Sequence, residues 1–150
     1  MLASPFIVAL LVCTLTHGRS SNGTPPITSS QTGQVVAEID PRIWVIHQGR
    51  NGDYWFGSNG NGAYRHDGKR LTNYTRADGL LGEQVRDIQE DAAGNVLIST
   101  TEGVSKFDGK NFTALEIVVA PTTEDGWILD PGDLLILLGP GDMGPCRYDG

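Results

Sequence analysis

Cysteine, histidine, long apolar runs and blocks of like charge are all scarce in this chain, and each scarcity removes a class of protein. The only cysteines are Cys13 and Cys146, too few for the multi-bridge frameworks of small secreted domains. After the first eighteen residues the only histidines are His47 and His66, which fall in different strand-like segments. No cysteine or carboxylate stands near them at the spacing of a zinc set, so both read as surface strand residues. No basic stripe exists to neutralise a phosphate backbone, because the net charge is −7 and the acids and bases are interspersed. Nucleic acid is therefore not an expected partner, and the acidity reads as solubility. Beyond the N-terminus no apolar run approaches the ~20 residues of a spanning helix.

What the chain does have is glycine. Its 150 residues fit one modest domain, and 20 glycines with 8 prolines disfavour a helical bundle and suit short strands joined by tight turns. The exception is the N-terminus, where LASPFIVALLVCTLT, Leu2 to Thr16, carries no charge and resembles the apolar core of an export leader. Residues 1–18 are thus expected to be a signal peptide, although a positive start is missing. The chain would then be periplasmic or extracellular. Cys13 lacks the small residue expected before a lipidated cysteine, since Val12 precedes it, so a lipid anchor there is disfavoured. Residues 19–34 read as a Ser/Gly/Pro-rich spacer, and 35–150 as the folded part. Removal of the leader would leave Cys146 alone, a half-buried strand residue by its repeat position.

The folded part repeats itself. Ile46, Gly52 and Trp55 precede Ile88, Gly94 and Leu97 by 42 residues, and Gly62, Asp67, Gly68, Lys69 and Thr72 precede Gly103, Asp108, Gly109, Lys110 and Thr113 by 41. A third unit returns at MGPCRYDG, where Arg147 follows Lys106 by 41 residues and Cys146 stands in the place of Tyr64 and Ser105. Each unit parses into four short strands, with Asn-Gly and Asp-Gly turns that accept the positive backbone angles of hairpins. Four antiparallel strands in roughly 40–45 residues is the spacing of a β-propeller blade. The expected fold is all-β, an incomplete propeller with blades at about 43–75, 85–116 and 127–150, the third degenerate across 121–142. There Leu134, Leu135 and Ile136 stand where Tyr54, Trp55 and Phe56 do.

The wording of the units, IQEDAAGNVLIST…GVSKFDGKNFT and NGDYWFGSNGNGAYRHDGKRLTNYT, resembles the two-component regulator propeller repeat. The resemblance covers 43–116 well and 143–150 in part. It implies exported sensor propellers, often placed ahead of a histidine kinase or a GGDEF-type output domain, and no output module stands in this chain. Closed propellers use about 4–8 blades, so a chain with fewer than three complete ones is expected to belong to a longer protein. The other reading gives Val35–Ile39 the role of a strand that closes a ring of associated copies or covers a partner's edge.

No catalytic, cofactor or metal residue is assigned. The carboxylate pairs Glu90–Asp91 and Glu124–Asp125 sit at strand-to-turn junctions and point to opposite faces, which suits turns and not acid–base chemistry. No GxSxG, P-loop or EF-hand pattern occurs. Trp55, Phe56, Tyr64 and Tyr74 offer rings that stack on a sugar, but packing between sheets is the stronger reading for Trp55 and Phe56. The expected function is a non-catalytic ligand-binding or sensor module for a small molecule or glycan, with contacts in the loops SNGNG and TTEG or along a central channel. Further blades or self-association are its expected partners. A lyase of the streptogramin-lyase kind, needing a central histidine and acid, and an interaction scaffold are the alternatives.

Overall fold

The computed structural model describes residues 12–16, 33–120, 131–136 and 146–148. Among these residues thirteen strands form three separate sheets: β1 (Val12–Thr16), β2 (Gln34–Val36), β3 (Ile43–Gln48), β4 (Tyr54–Ser58), β5 (Ala63–His66), β6 (Leu71–Tyr74), β7 (Val85–Glu90), β8 (Val96–Thr100), β9 (Gly103–Phe107), β10 (Phe112–Ala114), β11 (Glu116–Ala120), β12 (Leu134–Ile136) and β13 (Cys146–Tyr148). The first sheet runs β2-β6-β5-β4-β3, the second β10-β9-β8-β7 and the third β11-β1-β13-β12. All pairings are antiparallel except β1 with β13. The all-β, antiparallel expectation therefore holds, and no sheet closes on itself. A 3-10 turn at Arg76–Asp78, capped by Thr75 and ended by Gly79 at φ 101°, joins β6 to β7.

The repeat is visible atom by atom in the turns. Gly49 N–H donates to Asp53 O at 2.8 Å and Asp91 N–H to Asn95 O at 2.9 Å, while Gly52 and Gly94 take φ of 88° and 87°. A non-glycine residue would be strained there, because a Cβ crowds the following carbonyl in the left-handed region. In the second turn of the first two units, Asp67 Oδ1 accepts from the amides of Lys69 and Arg70, and Asp108 Oδ1 from those of Lys110 and Asn111. The third unit keeps the first turn too: Gly132 has φ 108°, and Asp133 pairs with Arg147 at 3.7 Å, as Asp53 pairs with Arg65 at 2.6 Å. Strand β12 pairs with β13 through Ile136 and Cys146, in the register of Phe56 with Tyr64 and Ile98 with Ser105.

The core lies between the sheets and repeats with them. From the first sheet Trp55, Ala63 and Tyr74 pack against Val85, Ile88, Val96, Ile98 and Phe107 of the second. Leu97, Val104 and Leu115, their counterparts in the second unit, pack against Ile136, Cys146 and Tyr148 of the third sheet. Burial of this kind of area supplies the main stabilisation, at about 25 cal/mol per Å² of apolar surface.

Three placements differ from the sequence expectations. The segment around Val35 is spent inside the chain: Gln34, Val35 and Val36 pair with Asn73, Thr72 and Leu71, giving the first sheet a fifth strand that covers its outer edge. Part of the expected leader, Val12–Thr16, forms a strand between β11 and β13, with Cys13 the register partner of Cys146. Cys146 itself is fully buried where a half-buried strand residue was expected, because Ile136 and Tyr148 pack around it. The rest of the leader, most of the spacer, the pair Glu124–Asp125 and the flanks 121–130 and 137–145 lie outside the described residues.

Candidate binding surface on the first strands

The first strands of the first two sheets, β3 and β7, lie side by side. Both carry a β-bulge at the same place in the repeat. The register of β3 on β4 shifts between Ile43 and Val45, and that of β7 on β8 between Val85 and Asp87, leaving Trp44 and Arg86 as the extra residues. The two side chains meet: the Arg86 guanidinium carbon stands 4.5 Å from the centre of the Trp44 ring. Trp44 remains 55% exposed, and Arg86 Nη2 donates to Gln84 Oε1 at 3.3 Å. Among the described residues, the buried Nε of Arg86 and Nε2 of His47 have no hydrogen-bond partner.

The same strands carry polar links between sheets. Arg50 donates from its backbone and Nε to Glu90 at 2.8 and 3.1 Å, and from Nη2 to the carbonyl of Asp91. His47 Nε2 stands 3.8 Å from Glu90 Oε2. His47 is therefore a half-buried residue at the sheet junction and not the surface residue expected, because its side chain falls on the face turned toward β7. His66 accepts from Gly68 N–H through Nδ1 at 3.2 Å, a local turn contact. Glu90 and Asp91 divide the work of the turn: Glu90 reaches back to the first sheet, while Asp91 accepts from Asn95 and, at 3.3 Å, from the hydroxyl of Tyr148 in the third. Burial raises the Asp91 carboxyl, but the donors from Asn95, Tyr148 and Ala93 outweigh it and hold the group below its ordinary 3.8.

The loops expected to meet a ligand are occupied by the fold itself. In SNGNG, Asn59 N–H donates to Arg42 O, and both Gly60 and Gly62 N–H donate to Glu83 O. Ser58 Oγ donates to Gly62 O and accepts from Asn61 N–H, while the Asn61 amide donates to Asp40. Thr100 and Glu102 repeat the pattern in TTEG, and Arg76 pairs with Glu102 at 2.9 Å. These backbone donors clamp the loops to the linker before β7. The candidate stacking rings are also spent: Trp55, Tyr64 and Tyr74 are buried, and Trp55 packs against Tyr74 and Phe107 at 5.7 and 5.4 Å. Phe56 is half-buried, 6.5 Å from Tyr54. Among the described residues the most exposed ring is Trp44, on the same exposed beat of IWVIHQ as Ile46 and Gln48, and the sequence reading did not single it out.

Among the described residues no three His, Cys, Asp or Glu side chains converge as a metal set, and no helix is long and apolar enough to cross a membrane. No family model matches the chain, and no curated protein matches it significantly. The propeller-repeat resemblance therefore rests on the repeated residues alone.

Proposed function

We propose that the chain is an exported, non-catalytic binding module built from propeller blades of the two-component regulator type, and that it recognises a glycan or similar small molecule through Trp44 and Arg86. The observation that carries the reading is the pair itself. An indole more than half exposed, with the Arg86 guanidinium carbon 4.5 Å from its centre, offers a stacking plane beside a cation at one place. Sugars and anionic small molecules are bound by such combinations of aromatic face and arginine donor. The blade reading is supported by the period, by the shared turns and by the way each sheet buries its face on the next. Export is supported by the uncharged Leu2–Thr16 run. A glycan array probed with the full chain and with Trp44→Ala tests the function. Binding that Trp44→Ala abolishes supports it. A silent array, or binding that the variant retains, rejects Trp44 as the recognition residue.

A further inference from the structure

The interface between sheets follows one rule, and the first sheet presents an unused half of it. A side chain in the middle of the second strand of a unit enters the next sheet: Trp55 enters the second and Leu97 the third. The receiving face is built from the same positions each time, Ile88, Val96, Ile98, Ser105 and Phe107 in the second unit and Leu134, Ile136, Cys146 and Tyr148 in the third. The repeat places Ile46, Tyr54, Phe56, Tyr64 and His66 at those positions in the first sheet. Ile46 is 66% and Tyr54 42% exposed, although their counterparts Ile88 and Val96 are buried. At the other end of the stack Leu135, the counterpart of Trp55 and Leu97, is 40% exposed, flanked by the Arg147–Asp133 pair as Trp55 is flanked by Arg65–Asp53.

We propose that this open face of the first sheet receives the outer face of the third sheet of a second copy of the chain, and that two copies close a ring through two such contacts. The exposed Leu135 would meet the exposed Ile46 and Tyr54 beside the half-buried Phe56, as Trp55 meets Ile88, Val96 and Ile98 in the second sheet. The count also fits, because the described sheets of two copies number six, within the about four to eight that closed propellers use. A contact between two different patches closes into a ring when the rotation returns to its start. The inference rests on the reading of the sheets as blades but not on the ligand assigned to Trp44 and Arg86.

The test is the solution mass of the full chain by light scattering, with circular dichroism to check folding. Wild type is expected at about twice 16.1 kDa. Ile46→Asp and Leu135→Asp are each expected at monomer mass with an unchanged β spectrum, and the milder Ile46→Ser to weaken the dimer at least tenfold. Mixing the two aspartate variants restores a dimer, since one copy keeps an intact receiving face and the other an intact Leu135. A monomeric wild type overturns the proposal. So does a dimer that Ile46→Asp breaks and Leu135→Asp does not, which would mean that two first sheets meet face to face. A monomer that keeps Trp44-dependent glycan binding removes the ring and leaves the binding function, and a dimer without such binding does the reverse.

Discussion

Arg86 lies over the ring of Trp44 at 4.5 Å, and the two residues occupy the same bulge position in consecutive units of the repeat. Each unit thus contributes one half of a pair that bridges two sheets at their first strands. A cation above an aromatic ring at a partly exposed site contributes about 0.5–1 kcal/mol. A double-mutant cycle with Trp44→Ala and Arg86→Ala, followed by urea unfolding, is expected to give a coupling energy of that size. Zero coupling would mean that the two side chains are merely adjacent.

Trp55 has the opposite fate one strand away. It is fully buried between the first two sheets, against Tyr74 and Phe107, with Arg65 held 5.7 Å from its ring. Removing a buried ring of this size costs about 3–5 kcal/mol through lost burial and the cavity left behind. Trp55→Ala is expected to unfold at a much lower urea midpoint than wild type, whereas Trp44→Ala lowers the unfolding free energy by about 1 kcal/mol or less. Equal effects of the two substitutions would contradict the burial described.

Asp91 ties the second sheet to the third through the Tyr148 hydroxyl and closes its own turn through Asn95. Its pKa is lowered in the folded chain, as are those of Asp40, Asp67 and Asp108, each held by donors from neighbouring turn residues. A lowered folded pKa contributes stability above the unfolded value, here about 3.8, and that stability is lost as the pH falls through the folded value. Stability should therefore be flat with respect to these groups near neutrality and drop below pH ~4. Asp91→Ala, which leaves buried donors unsatisfied, is expected to cost about 1–3 kcal/mol at pH 7 and to reduce the acid sensitivity. An acid titration of the urea midpoint that is identical in variant and wild type would refute this assignment.

Strand β1 separates β11 from β13 and pairs with both. A chain lacking residues 1–18 leaves those two strands with exposed edges, so the amides of Cys146–Tyr148 that face β1 should exchange faster with deuterium, while those of β4 and β8 are unchanged. The N-terminal residue of the chain recovered from cells, read by mass spectrometry, shows which of the two forms the cell makes. Equal exchange in the truncated and full chains would show that β1 adds no protection to the third sheet.

Much of the fold was legible in the sequence because its signals are local. Asn51-Gly52, Asp67-Gly68, Gly94 and Asp108-Gly109 specify turns by what their own backbones tolerate, and a period of 41–42 residues places those turns at matching positions. The burial of Trp55, the register of Leu134–Ile136 and the kinship of Cys146 with Tyr64 and Ser105 follow from that period. What the sequence by itself could not determine depends on contacts between distant segments. That β2 covers the edge of its own sheet, and that β1 enters the third, are matters of which open strand edge finds a partner. The meeting of Trp44 with Arg86 depends on two first strands lying side by side. The role of Gly57, where any Cβ would stand 2.8 Å from that of Val85, comes from the close approach of two sheets. Turns are decided within a few residues, and the tertiary structure decides everything that requires one sheet to meet another.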